Sequence, residues 1–168
     1  MIYHNNSYRN NLMRLGFIGS GQITKAVING LLSSKLKFSK IYISRRNLKI
    51  STELGKKNKK IFVSENNQKI IDNSDWIFLA ITPNVGNKIL KKLKFKKKHT
   101  IISFISTIKM YDLKKFIKVK AHITRAIPLP PISIKKGPVP IYPPNKKVKN
   151  FFNKLGDVIE IKKENLSL

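Results

Sequence analysis

The chain is 168 residues long, 41% of them apolar, and it sets 35 Lys and Arg against 8 Asp and Glu for a formal net charge of +27. That length suits one domain with a real core. Cysteine is absent, which excludes disulfides and thiolate metal sites, and no apolar run reaches the roughly 18 residues of a membrane span.

Residues 1–12 are polar and rich in asparagine, and they lack the apolar stretch of a secretory signal. They read as a disordered leader, or as the result of a misassigned start with Met13 as the true first residue. Leu15-Gly16-Phe17-Ile18 has the short apolar form of a buried strand. After Gly21, apolar or small residues recur at Ile23, Ala26, Val27, Gly30 and Leu31, which is helical spacing. Lys40 to Ser44 reads as a second strand and Ile61 to Val63 as a third. Ser64 is placed to cap a short helix through Ile71.

Trp76 to Ile81 is almost wholly apolar, as expected for a central strand covered on both faces. Pro83 ends it, and Val85 to Leu93 is helical. Thr100 to Ile105 is another buried strand, Tyr111 to Lys118 a helix, and Ala121 to Arg125 a further strand. Pro128 to Pro144 is proline-rich, as a linker would be. Yet Ile132, Ile134, Val139 and Ile141 alternate within it, so part of it reads as an edge strand. Lys146 to Leu155 is a last helix with Gly156 as its C-cap, and Val158 to Ile161 a last strand. Strands alternating with helices at this spacing predict an α/β fold. The expected architecture is a Rossmann-like, doubly wound, mainly parallel sheet in a single domain over residues 13–168.

Between the first strand and helix stands Gly19-Ser20-Gly21-Gln22-Ile23-Thr24, a GxGxxT in the strand–turn–helix context of a dinucleotide fingerprint. Gly19 permits the tight turn. Gly21 leaves the backbone bare for a pyrophosphate, and the helix N-terminus offers free N–H groups and a positive dipole end. Thr24 is larger than the usual Gly or Ala, which predicts looser helix–strand packing. The other reading is an ordinary structural turn. At the end of the second strand, Ser44-Arg45-Arg46 has no acid to grip a ribose 2′-hydroxyl. Two guanidiniums there favour a 2′-phosphate, hence NADP over NAD; otherwise they are two more surface cations.

The lysines are spread over every helix and loop. Their charge predicts weak, salt-sensitive sticking to polyanions, with specific nucleic-acid binding as the lesser reading. His4, His99 and His122 have no metal-ligand spacing, so no metal is expected. No Ser/His/Asp set, paired carboxylates or HExxH motif supports a hydrolase.

Several stretches together resemble the pyrroline-5-carboxylate reductases. The segment from Gly16 to Leu32 resembles their GFIGxGxMxxAxxxGL, and Ser44-Arg45-Arg46 their second strand end. Asp75 to Pro83 resembles "aDvvilavKP", and Arg125-Ala126-Ile127-Pro128 resembles "RxMPN". Phe151 to Gly156 with Glu164 resembles "lFxxlGxvxxvxE". Departures are Gln22-Ile23 for Asn-Met, Thr82 for lysine, Leu129 for asparagine, and a missing Ala-Gly turn near Ser106.

The resemblance implies an NADPH-dependent reductase that transfers hydride to the C=N carbon of a cyclic imine in proline biosynthesis. On that reading Gly19, Ser20, Gly21, Gln22 and Ile23 line the pyrophosphate, while Ser44, Arg45 and Arg46 hold the adenosine phosphate. Ala80, Ile81 and Pro83 border the ribose-nicotinamide. Ser106, Thr107 and Arg125 lie near the nicotinamide end by analogy, although Arg125 also reads as a structural cation pairing with a strand-end carbonyl. No catalytic acid or base is assigned. The family continues into a helical second domain for dimerisation and much of the pocket for the small cyclic imino acid, and this domain is missing from the chain. The chain then reads as a truncated product, a fragment, or a non-catalytic NADP-binding module. The expected location is cytoplasmic, with no membrane partner.

Overall fold

The computed structural model describes residues 12–167. Nearly all of the expected leader, and Leu168, fall outside them. Eight strands form one sheet: β1 (Met13–Ile18), β2 (Phe38–Ser44), β3 (Ile61–Ser64), β4 (Trp76–Leu79), β5 (Thr100–Ser103), β6 (His122–Ala126), β7 (Pro138–Tyr142) and β8 (Asp157–Glu160). Their order is β3-β2-β1-β4-β5-β6-β7-β8. The first six are parallel and β7 runs antiparallel to β6. Crossovers are α1 (Gln22–Ser33), α2 (Leu48–Lys57), α3 (Asn67–Asp72), α4 (Pro83–Ile89) and α5 (Met110–Ile117), and α6 (Lys146–Phe152) joins β7 to β8. This is the doubly wound, mainly parallel sheet expected from the alternation of strand and helix patterns.

Two apolar cores explain why the central strands read as continuous hydrophobic runs. Leu15, Phe17, Phe78 and Ile102 face one core with α1, α2 and α6. Ile18, Ile77, Leu79 and Ile101 face the other with α3 and α5. Phe17 and Phe78 stack across β1 and β4 at 4.4 Å between ring centroids, and Phe151 adds to the cluster 5.7 Å from Phe78. At the opposite end of these strands, Arg14 clamps Asp75 through Nε to Oδ2 (3.0 Å) and Nη2 to Oδ1 (2.7 Å). That guanidinium holds the Asp75 carboxyl below the usual carboxylate range, against the opposing effect of burial.

Several local expectations change. The sequence reading places no helix between β2 and β3, yet α2 lies there. It buries only Ile50, Ser51 and Leu54, too narrow a stripe to announce itself, and Asn47 caps it by accepting the Ile50 N–H at 3.1 Å. Asn66, not Ser64, caps α3 by accepting the Lys69 N–H. Helix α4 starts at Pro83, which occupies the first-turn position where a missing N–H costs nothing. Strands β4 and β5 end at Leu79 and Ser103, two residues short of the apolar runs.

The proline-rich segment is not a linker; the strand expected in part of it forms over Val139 and Ile141, but inside the sheet rather than at its edge, and Ile132 and Ile134 lie outside it. Pro130–Ile134 forms a 3-10 turn that buries Ile132 and leaves Ile134 62% exposed. The turn seats against α1 so closely that a Cβ on Gly30 would lie 2.3 Å from the Ile132 carbonyl oxygen. Strand β7 sits between β6 and β8, with Val139 and Ile141 fully buried. It tolerates Pro140 because that residue serves the ladder through its carbonyl, which accepts the Ile127 N–H at 3.0 Å. Gly156 is not the C-cap of α6, which ends at Phe152. A Cβ on Gly156 would lie 2.6 Å from the Gly137 carbonyl oxygen, so glycine is needed for that approach.

Candidate functional site

Strand order reverses between β1 and β4, so the loops leaving their carboxyl ends diverge and open a crevice. Gly19 starts the loop after β1 with φ +115°, a conformation that L side chains rarely adopt. A Cβ there would lie 2.0 Å from the Ala80 carbonyl oxygen. Glycine thus lets the β1–α1 turn press against the end of β4. The Ser44 hydroxyl accepts the Gly19 N–H at 2.8 Å and donates to Asn67 Oδ1 at 3.0 Å. The buried Ser20 hydroxyl accepts the Asn47 N–H at 2.9 Å. These two serines tie the first turn to the loop after β2.

The looser packing expected at Thr24 does not occur. Thr24 is fully buried, and its hydroxyl donates to the Gly19 carbonyl at 3.0 Å. Its polar end finds a partner inside the turn, so the extra volume does not cost an unsatisfied group. Gly21 is the N-cap of α1 and supplies no side-chain cap, and no acid stands in the first turn. The N–H groups that open the helix therefore retain their donor capacity. A Cβ on Gly21 would meet nothing within 4 Å, so the glycine borders open space.

Two adjoining clefts meet at this turn. One, of about 670 Å³, has Ser44, Arg45, Arg46, Glu65 and Asn67 in its wall. The other, of about 520 Å³, is walled by Gly19, Ser20, Gly21, Ala80, Ile81 and Thr82. Gly19, Arg46, Leu48 and Ile81 border both, which makes the crevice continuous. Most of the residues singled out from sequence come together here. Gln22 and Ile23 follow as the first turn of α1, and Pro83 opens α4 directly after Thr82.

The guanidinium pair divides. Arg45 forms an ion pair with Glu65, whereas Arg46, exposed at the junction of the clefts, has no carboxylate partner among the described residues. Sequence reasoning missed Glu65 and Asn67. The available signal was the parallel pairing of β2 with β3, which sets Ser44 opposite Ser64 and so brings the two following loops side by side.

Beyond β5 and β6, Arg125 is fully buried. Its Nη2 donates to the Ser106 carbonyl, and its Nη1 lies 3.2 Å from Glu164 Oε1, which also accepts the Met110 N–H. Burial pulls the guanidinium pKa down from its ordinary value, and Glu164 opposes that shift. Arg125 is thus a tie between β6, the loop after β5 and the start of α5, as its structural reading expects. Thr107 is exposed in the same loop.

A Gly-rich turn at the switch point, an uncapped helix N-terminus and a cationic cleft beyond the second strand define a Rossmann dinucleotide-binding domain. The family model described as "NADP oxidoreductase coenzyme F420-dependent" matches residues 14–107, more than half of the chain, and the chain belongs to that family. It is 28% identical over 128 residues to "Pyrroline-5-carboxylate reductase 3" of Danio rerio, a match that covers 74% of this chain and 44% of the relative. Among solved structures it resembles 1-pyrroline-5-carboxylate reductase from Streptococcus pyogenes, with a TM-score of 0.75 and 24% identity over 94% of this chain and 61% of that one. It also resembles the NADP-bound pyrroline carboxylate reductase of Plasmodium falciparum, with a TM-score of 0.77 and 20% identity over 93% and 60%. The chain therefore spans about half to three-fifths of these relatives' lengths. The likeness to these solved structures shows the Rossmann-like fold of the chain. No helix among the described residues is long and apolar enough to cross a membrane.

Proposed function

We propose that the crevice binds NADP(H) and that the chain is the cofactor-binding part of a reductase of the pyrroline-5-carboxylate reductase type. The observation that carries this reading is the bare cradle formed by Gly19, Gly21 and the uncapped start of α1, opening toward Arg46. The N–H groups of the first turn, around Gln22 and Ile23, would donate to diphosphate oxygens with the positive end of the helix dipole behind them. No acid stands there to repel the diphosphate. Arg46 would meet the adenosine 2′-phosphate, with Ser44 and Asn67 beside it. Ala80, Ile81 and Pro83 would flank the ribose toward the nicotinamide.

Bound NADPH supplies a hydride, and in this reaction type it goes to the C=N carbon of a small cyclic imino acid. The chain's own residues would bind and orient the cofactor, and no side chain among them is assigned as acid or base. On this reading a further helical domain, of the kind the resemblance implies, would pair two copies and close the substrate pocket.

Titration of the chain with NADPH and with NADH by calorimetry tests the binding reading. The expected result is binding of both, with NADPH the tighter. Absence of NADPH binding at millimolar concentration overturns it. Turnover of pyrroline-5-carboxylate by the same chain would exclude a purely non-catalytic nucleotide-binding module.

A further inference from the structure

One carboxylate in the crevice is not asked for by phosphate recognition. Glu65 follows β3 directly and lies in the wall of the larger cleft, ion-paired with Arg45. The pairing has a structural cause. Ser44 and Ser64 stand opposite each other in the β2–β3 ladder, and the Arg45 N–H donates to the Ser64 carbonyl at 2.9 Å. The next side chain on each strand therefore emerges beside its neighbour. Both remain substantially exposed, at 50% for Arg45 and 72% for Glu65, so the pair is open to exchange with a ligand.

Arg45, Arg46 and Glu65 together carry a formal charge of only +1 at the place where two guanidiniums were expected to hold a dianionic phosphate. An incoming 2′-phosphate brings about −1.5 to −2 charges. It must draw Arg45 away from Glu65 or share it, and it meets the Glu65 carboxylate at close range. A 2′-hydroxyl displaces nothing, and it is a donor that a carboxylate accepts. We propose that Glu65 is a specificity-determining residue that narrows the preference of the crevice for NADPH over NADH. The proposal rests on the reading of the crevice as an NADP(H) site and concerns the balance between the two cofactors.

The test compares the ratio of NADPH to NADH dissociation constants in wild type, Glu65→Gln and Arg45→Leu. Glu65→Gln should tighten NADPH by about three- to tenfold, the scale of an exposed charge pair acting on a dianion. NADH should stay unchanged or weaken, so the ratio shifts toward NADPH. Raising the ionic strength should shrink the shift, because the groups involved are exposed. Arg45→Leu should move the ratio the other way, since it leaves the carboxylate without its cation.

A merely structural role for Glu65 would change both constants together, or neither, and either result overturns the proposal. If wild type binds NADPH and Glu65→Gln leaves the ratio unchanged, the proposal fails while the crevice remains an NADP(H) site. If wild type binds neither nucleotide, the site reading fails and takes the proposal with it.

Discussion

Gly19 and Gly21 look equivalent in the fingerprint, yet their surroundings predict opposite outcomes on substitution by alanine. At Gly19 the new Cβ would sit 2.0 Å from the Ala80 carbonyl oxygen and 2.6 Å from its carbon, both backbone atoms that cannot swing aside. The φ of +115° adds strain of about 1–3 kcal/mol. Overpacking adds about 1–3 kcal/mol. The total of roughly 2–6 kcal/mol corresponds to a fall in Tm of about 4–24 °C for a chain of this size. The turn must also shift away from β4, loosening the Gly19 N–H to Ser44 bond, so nucleotide affinity falls as well.

At Gly21 the φ is −83° and nothing lies within 4 Å of the added methyl. Alanine is a poorer N-cap than glycine, and the stability cost should stay near or below about 1 kcal/mol. On the proposed reading, however, the methyl projects into the space that the diphosphate would occupy. Each hydrogen bond to a charged oxygen is worth about 1.5–3 kcal/mol, so losing one weakens NADPH by about ten- to a hundredfold. Urea unfolding and NADPH titration on both variants separate the effects. If Gly21→Ala binds NADPH like wild type, or if it unfolds as readily as Gly19→Ala, the cradle has been misread.

Arg125→Met should destabilise the chain by on the order of 3 kcal/mol, because it removes the buried cation from Glu164 and strips the Ser106 carbonyl of a donor; a change below about 1 kcal/mol in urea unfolding would show that the tie is dispensable. Burial, with Lys96 and Lys98 nearby, holds the His99 pKa below the ordinary imidazole value, so the folded chain binds fewer protons than the unfolded one just below that value. Stability should be complete above about pH 6.5 and should decline as the pH falls toward the lowered folded pKa. His99→Gln should flatten that decline, and an unchanged pH profile would refute the assignment.

The central fold was legible because its strands are buried on both faces. Trp76 to Leu79 and Thr100 to Ser103 have no polar alternation to confuse the reading, and the GxGxxT turn fixes the phase between β1 and α1. Legibility fails where burial is thin. Helix α2 keeps only three buried residues among its lysines, so its periodicity is faint. The proline-rich segment misleads in a different way. Ile132 and Ile134 look like alternating strand residues, but Ile132 turns inward in a 3-10 bend whose seat is created by Gly30, about a hundred residues earlier. Sequence periodicity carries no information about a partner that distant.

The site divides along the same line. Gly19, Ser20, Gly21, Ser44 and Ala80 are recognisable because each stands at the carboxyl end of a strand with a clear apolar pattern, where the sequence motif itself marks the position. Glu65 belongs to a neighbouring unit and reaches the crevice only through the β2–β3 register. From sequence, Arg45 and Arg46 form a symmetrical pair that a phosphate would bridge. The ladder breaks that symmetry by giving Arg45 a carboxylate and leaving Arg46 open to the ligand. Two adjacent arginines of the same type are therefore expected to contribute unequally, with Arg46 taking the larger share of any 2′-phosphate contact. Arg45 can contribute only as far as the phosphate outcompetes Glu65, so its share rises when that carboxylate is neutralised.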